Sequence, residues 1–162
     1  DPGPGTAGAA PFVIRQDDLA GEAVRALLAY HLQQMQAQSP PGSVYALDLS
    51  GLQRADVTVW SAWRGEALAA VGALRVLDDG GGELKSMRTY PDVLRQGAAA
   101  ALLEHIVAAA RAASLHRLSL ETGSGAAFDA ALALYRRRGF RNGSAFADYL
   151  PSAFNQFLHL AL

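Results

Sequence analysis

The chain has 162 residues, 51% of them hydrophobic and 18% charged, the size and composition of one folded domain rather than a disordered chain. Fourteen Lys and Arg residues against fifteen Asp and Glu leave a formal charge of −1, so no global field recruits nucleic acid or an anionic membrane. There is no cysteine, which excludes disulfides, Cys-ligated metals, Fe–S clusters and a thiol nucleophile, and fits a reducing, cytoplasmic compartment.

Residues 1–11 (DPGPGTAGAAP) carry neither a basic n-region nor an apolar h-region. They read as a flexible leader or cloning remnant rather than a signal peptide, with residues 12–162 as a single domain. Residues 12–15 (FVIR) read as a first strand. Asp17 or Asp18 then offers an N-cap for a helix on which Leu19, Ala23, Leu27 and Tyr30 recur at helical spacing. Residues 31–38 continue or restart that helix, and two prolines and a glycine in 39–43 (SPPGS) end it. Residues 44–55 are expected to be a structured loop.

Residues 56–63 are rich in β-branched and aromatic side chains, and residues 64–66 turn the chain into a second apolar run, 67–77; the pair predicts a hairpin. Gly72 within it signals a bulge, a close backbone approach or simply a weak spot in the strand. After a turn at 78–82 (DDGGG), residues 83–89 read as another strand. The period then changes: Leu102, Leu103, Ile106, Val107 and Ala110 share one face of a helix over 98–114. Residues 118–121 form a short strand. Phe128, Leu132 and Tyr135 lie along a helix over 127–138, and Gly139 stands where a left-handed C-cap is wanted. Asn142 and Gly143 suggest a turn, and residues 156–162 a last strand. No apolar run reaches the roughly 18 residues that cross a bilayer. The element order predicts a mixed α/β layered fold.

Three constellations could carry chemistry. The loop Leu94, Arg95, Gln96, Gly97, Ala98, Ala99 opens the long helix, whose first N–H groups and dipole suit a phosphate. Its small residues equally suit close helix–sheet packing. Tyr135 is either a core aromatic or a phenol that stays protonated at neutral pH and can donate to a leaving group. The following Arg136, Arg137 and Arg138 favour the negative end of the helix dipole or, with Arg141, could meet a ligand phosphate or an acidic partner. Glu83 and Glu121 sit beside apolar strand residues, where burial would raise a carboxyl's pKa and make it a base. The four histidines show no i, i+4 pair and no HExxH pattern, so no metal is expected.

Taken in order, the loop, the amphipathic helix, the LSLET strand and the ALALYRRRGF segment resemble the GNAT superfamily of acetyl-CoA-dependent N-acetyltransferases. The specific motifs lie within residues 83–140. Gly97 and Ala99 match the family's [Q/R]-x-x-G-x-[G/A] loop, whereas Leu94 departs from its first position. Ala131, Leu134, Tyr135, Gly139 and Phe140 match the A-x-x-LY-x-x-x-GF pattern. The resemblance implies a central, mostly antiparallel sheet of about six or seven strands flanked by about four helices. It implies acetyl-CoA as co-substrate, with backbone at Met87, Arg88 and Thr89 pairing the pantetheine arm and N–H groups of Arg95, Gln96, Gly97, Ala98 and Ala99 holding the pyrophosphate. A strand N–H at Met87 would stabilise the oxyanion, and Tyr135 would protonate the departing sulfur. The base would be Glu121, with Glu83 or a relaying water as alternatives. The acceptor, a small-molecule or peptide amine, would lie against Tyr45, Asp48, Phe146, Asp148 and Tyr149, with Asp48 or Asp148 pairing its cation. A homodimer is compatible with the resemblance. The alternative is a non-catalytic acyl-CoA-binding or regulatory module with the same fold.

Overall fold

The computed structural model describes residues 11–162, so the leader reading, but for Pro11, lies outside the described residues. Strands β1 (Val13–Gln16), β2 (Val57–Arg64), β3 (Ala67–Val76), β4 (Gly82–Thr89), β5 (Arg117–Thr122), β6 (Arg141–Gly143) and β7 (Gln156–Ala161) form one sheet. Their order is β1-β2-β3-β4-β5-β7-β6. All neighbours are antiparallel except β4 and β5. Helices α1 (Glu22–Gln38), α2 (Leu49–Leu52), α3 (Ala98–Ala112) and α4 (Asp129–Arg138) complete the mixed α/β architecture that the sequence predicts.

Each face of the sheet has its own apolar core. Leu102, Leu103 and Ile106 of α3 and Leu132 of α4 pack with Leu84, Leu118, Leu120 and Leu158. On the other face, Val24, Leu27 and Leu28 of α1 and Leu52 of α2 pack with Val59, Val71 and Ala73. Burying each such side chain contributes roughly 1.5–3 kcal/mol. Because strand side chains alternate, this packing also fixes the polar residues. With Leu84, Leu118 and Leu120 committed to α3 and α4, Glu83, Lys85, Ser119 and Glu121 must face the α1 side.

Two local expectations are corrected. Neither Asp17 nor Asp18 caps α1, which begins after Gly21 without a side-chain cap. Leu19 is left-handed, with φ 62°, so the chain turns before the helix starts. Asp17 instead accepts from Leu19 N at 2.8 Å and from Ser61 Oγ at 2.7 Å, and Asp18 accepts from Ala20 N at 2.9 Å. Asn142 and Gly143 are not a turn but part of β6, paired with Leu158 and Phe157. The loop at 44–55 contains α2, capped by Asp48, whose carboxylate accepts from Gly51 N at 2.9 Å.

The feature that positions the site is an irregularity in β4. Between the pairs Val71–Arg88 and Ala73–Lys85 the register shifts. Gly72 alone therefore faces both Ser86 and Met87, a β-bulge. Ser86 takes φ 57°. A Cβ on Gly72 would lie 2.4 Å from Met87 Sδ, so glycine is what admits the bulged methionine. Of the sequence readings of Gly72, the bulge and the close approach hold, with the extra residue in the partner strand, and the weak spot does not. Past the start of the strands, β4 and β5 part: only Gly82–Leu118 and Glu83–Ser119 pair.

Candidate active site

Where β4 and β5 separate, a cavity of about 220 Å³ opens through the sheet. Leu84, Leu120, Phe128, Ala131 and Tyr135 line it from the α3–α4 side. His31, Tyr45, Glu83, Lys85, Arg88 and Glu121 line it from the α1 side. Three of the predicted chemical residues, Glu83, Glu121 and Tyr135, thus meet in one cleft although they come from β4, β5 and α4.

Tyr135 is held by the C-terminus of α4. Gly139 sits at φ 107°, and Gly139 N and Phe140 N donate to Arg136 O and Tyr135 O, each at 3.0 Å. That is a Schellman cap, and it turns the Phe140 ring back onto Tyr135, 5.7 Å between centroids. Burial pushes the Tyr135 phenol up to about 12, with Arg88 opposing. The phenol is therefore a protonated donor throughout the neutral range. The arginines behind it tie the helix down. Arg136 donates to Asn142 Oδ1 at 3.0 Å and Gln156 Oε1 at 3.3 Å, and Arg138 pairs with Glu104.

The two glutamates differ. Glu121 is half-buried, and its pKa is raised to about 7: burial dominates and Glu83 adds to it, while a hydrogen bond from Asn155 and the charge of Lys85 oppose. Such a carboxyl exchanges protons near neutrality. Glu83 is 1% exposed. Its Oε2 accepts from Lys85 Nζ at 3.2 Å and from the Tyr149 hydroxyl. The buried Oε1 has no partner among the described residues. Lys85 Nζ also donates to Tyr149 Oη at 2.7 Å and to Tyr45 O at 3.4 Å, so its three protons meet three acceptors. Glu83 is clamped by Lys85 and Tyr149, a hold that Glu121 lacks.

The N-terminus of α3 is open and has no side-chain cap. Gly97 is the N-cap at φ 92°, with no side-chain cap, and nothing lies within 4 Å of where its Cβ would be. The first intrahelical bond is Ala101 N to Gly97 O at 3.0 Å, so the N–H groups ahead of it lack helical partners. Arg95 is also left-handed, at φ 64°. Arg95, Gln96 and Gly97 are exposed, Ala98 is buried and Ala99 half-buried. Gln96 Oε1 accepts from Arg64 Nη1 at 2.6 Å, which anchors the loop to the end of β2. Leu94 is 58% exposed. Met87, Arg88 and Thr89 form the end of β4 beyond its pairing with β5.

The proposed acceptor residues scatter. Tyr45 lines the cavity, and its ring meets Tyr149 edge-on at 5.1 Å. Tyr149 lies on the Glu83–Lys85 pair, and Phe146 packs behind it, 5.1 Å from Tyr149 and 5.9 Å from Phe157. Asp48 is taken up as the cap of α2, and Asp148 is exposed; neither lines the cavity. Sequence reasoning missed Lys85, His31 and Gln34 of the lining. Lys85 was readable, since i and i+2 of a strand share a face with Glu83; His31 was not, because nothing in its helical spacing marks it. Among the described residues no group of His, Asp and Glu could hold a metal, and no helix is long and apolar enough to cross a membrane.

A family model described as "Acetyltransferase (GNAT) family" matches residues 24–140. The uncharacterized N-acetyltransferase YedL of Escherichia coli (strain K12) is 52% identical over 151 residues, 93% of this chain and 95% of that protein. A Klebsiella pneumoniae structure named as an acyl-CoA N-acyltransferase is similar with TM-score 0.78 and 30% identity, over 93% of this chain and 97% of its own. A GNAT family acetyltransferase from Elizabethkingia anophelis, solved with acetyl-CoA bound, shares the fold at TM-score 0.67 and 14% identity, over 94% of this chain and 99% of that one.

Proposed function

The chain belongs to the GNAT family of acetyltransferases, and from that membership we propose that it moves an acetyl group from acetyl-CoA to a primary amine of a small molecule or peptide, by direct attack in a ternary complex. The observation that carries this reading is the meeting of Glu121, Tyr135 and the bulged end of β4 in one cavity. Acetyl-CoA supplies an activated thioester; the chain supplies position and proton transfer.

The residues fit that co-substrate. Uncapped N–H groups at the start of α3, under the open space above Gly97, suit a pyrophosphate. The length of β4 from Met87 to Thr89, which pairs with β3 but not with β5, suits the amide-bearing arm, which would add to that open side as a strand does. Glu121 takes the proton of the acceptor ammonium, freeing the nitrogen lone pair for attack on the thioester carbonyl carbon. An N–H at the bulge, where Ser86 and Met87 have no ladder partner, faces the charge that develops on the carbonyl oxygen; such a donor contributes roughly 10²–10³ in rate. As the C–S bond breaks, the Tyr135 hydroxyl gives its proton to the sulfur. The products are an N-acetylated amine and the CoA thiol.

Thermal unfolding with and without acetyl-CoA, with adenosine diphosphate as control, is the direct test. At a hundred times Kd a ligand adds about 2.7 kcal/mol, so Tm should rise by some 5–10 °C, at roughly 2–4 °C per kcal/mol for this size. A shift without CoA thiol release in the presence of any amine would instead identify a binding module.

A further inference from the structure

Two cations line the cavity, and they are provided for differently. Lys85 is neutralised by Glu83 at 3.2 Å. Arg88 has no carboxylate within ion-pair distance among the described residues. Its register opposite Val71, on the side of Lys85 opposite Ala73, turns it towards α1. There its Nε donates to His31 Nδ1 at 3.0 Å, and its Cζ lies 5.7 Å from the centre of the Tyr30 ring. His31 is 7% exposed. Burial first, then the charges of Arg88 and Lys85, lower its pKa to about 3, so the ring is a neutral acceptor. A neutral partner fixes the guanidinium plane without cancelling its charge. Nε is taken, while Nη1 and Nη2 carry no hydrogen bond among the described residues. Those two groups are the fork that grips a carboxylate.

The charge balance of the lining points the same way. Glu83 and Lys85 cancel, leaving one carboxyl, Glu121, and one guanidinium, Arg88. At about 220 Å³ the cavity is smaller than the roughly 300–1,000 Å³ of drug-sized ligand sites, which suits a small acceptor. Resting on the transferase reading above, we propose that Arg88, positioned by His31, binds a carboxylate of the acceptor, so that the substrate is an amino-acid-like zwitterion whose amine lies towards Glu121. Arg88 is then the specificity residue and His31 a positioning residue.

The test compares standard L-amino acids, each with its own primary amide, as acceptors at saturating acetyl-CoA. The protein has no cysteine, so released CoA thiol can be read with a thiol reagent free of background. At least one amino acid should exceed its amide in kcat/KM by roughly 10–100-fold, the worth of hydrogen bonds to a charged group. Arg88→Met should collapse that ratio through KM for the amino acid. Arg88→Lys, which keeps charge but loses the fork, should fall between, and His31→Gln should lower the ratio partly. The wild-type ratio stands as a test even if a variant fails to fold. Amides used as well as acids, or no acetylation of any amino acid while acetyl-CoA still raises Tm, would each overturn the proposal alone. No Tm shift with acetyl-CoA would overturn it together with the transferase reading.

Discussion

Tyr135 and Glu121 are shifted upward by the same cause, burial, and the consequences are opposite. A phenol raised to about 12 keeps its proton, whereas a carboxyl raised to about 7 shares its proton with water at neutral pH. In the proposed reaction one side chain then serves as the acid and the other as the base in a single cleft. Tyr135→Phe should lower kcat by roughly 10–10³-fold with acetyl-CoA affinity unchanged, as read by steady-state kinetics beside a binding isotherm. An unchanged kcat removes the tyrosine from the mechanism. Only the deprotonated form of Glu121 accepts a proton, so kcat/KM should rise as pH passes through about 7 and level above it. Glu121→Gln should be slow and lack that rise; if the rise persists in the variant, the base lies elsewhere, with Glu83 or water next in line. Glu83 and Glu121 look alike in sequence. What separates them is Tyr149 and Lys85, which clamp the first and not the second.

Among elements, the α3 N-terminus and the β4 bulge each depend on a glycine for a different reason. Gly97 is needed for its positive φ and for the open space over it. Gly72 is needed because Met87 occupies the volume of its absent Cβ. Gly97→Glu should abolish acetyl-CoA binding by setting bulk and negative charge at the helix N-terminus. Isothermal titration beside a far-UV spectrum checks this, and an intact fold that still binds would refute the loop assignment. Helix α3 was legible because apolar spacing alone defines it. The start of α1 was not, since either Asp17 or Asp18 satisfied the local capping rule. The preference of Asp17 for Ser61, a residue of β2, is a tertiary contact that no local pattern contains.

For the molecule as a whole, a buried and a half-buried group give stability a pH dependence of opposite sign. The folded pKa of His31 is depressed from 6.5 to about 3, so the folded state binds fewer protons than the unfolded chain and stability is lost as pH falls from 6.5 towards 3. That of Glu121 is raised from 4.5 to about 7, so its contribution is full below 4.5 and is lost as pH rises through 7. Between 4.5 and 6.5 the two oppose each other. Urea midpoints against pH should therefore change little across that window. His31→Gln should unmask a decline with rising pH, and Glu121→Gln a steeper loss towards acid; a wild-type profile that neither variant alters would mean that these groups do not govern it.

Composition, periodicity and two short motifs determined the layered α/β fold, the long helix, the Gly97 loop and the Tyr135 segment, because each rests on residues close together in the chain. Alternation also put Glu83, Lys85 and Glu121 on definable strand faces. The parting of β4 from β5, the bulge opposite Gly72, the clamping of Glu83 by Tyr149 and the seating of Arg88 on His31, 57 residues away, were decided only by the tertiary structure. A cavity exists where two strands fail to pair, and whether strands pair depends on everything packed against both of their faces, which no local stretch of sequence records.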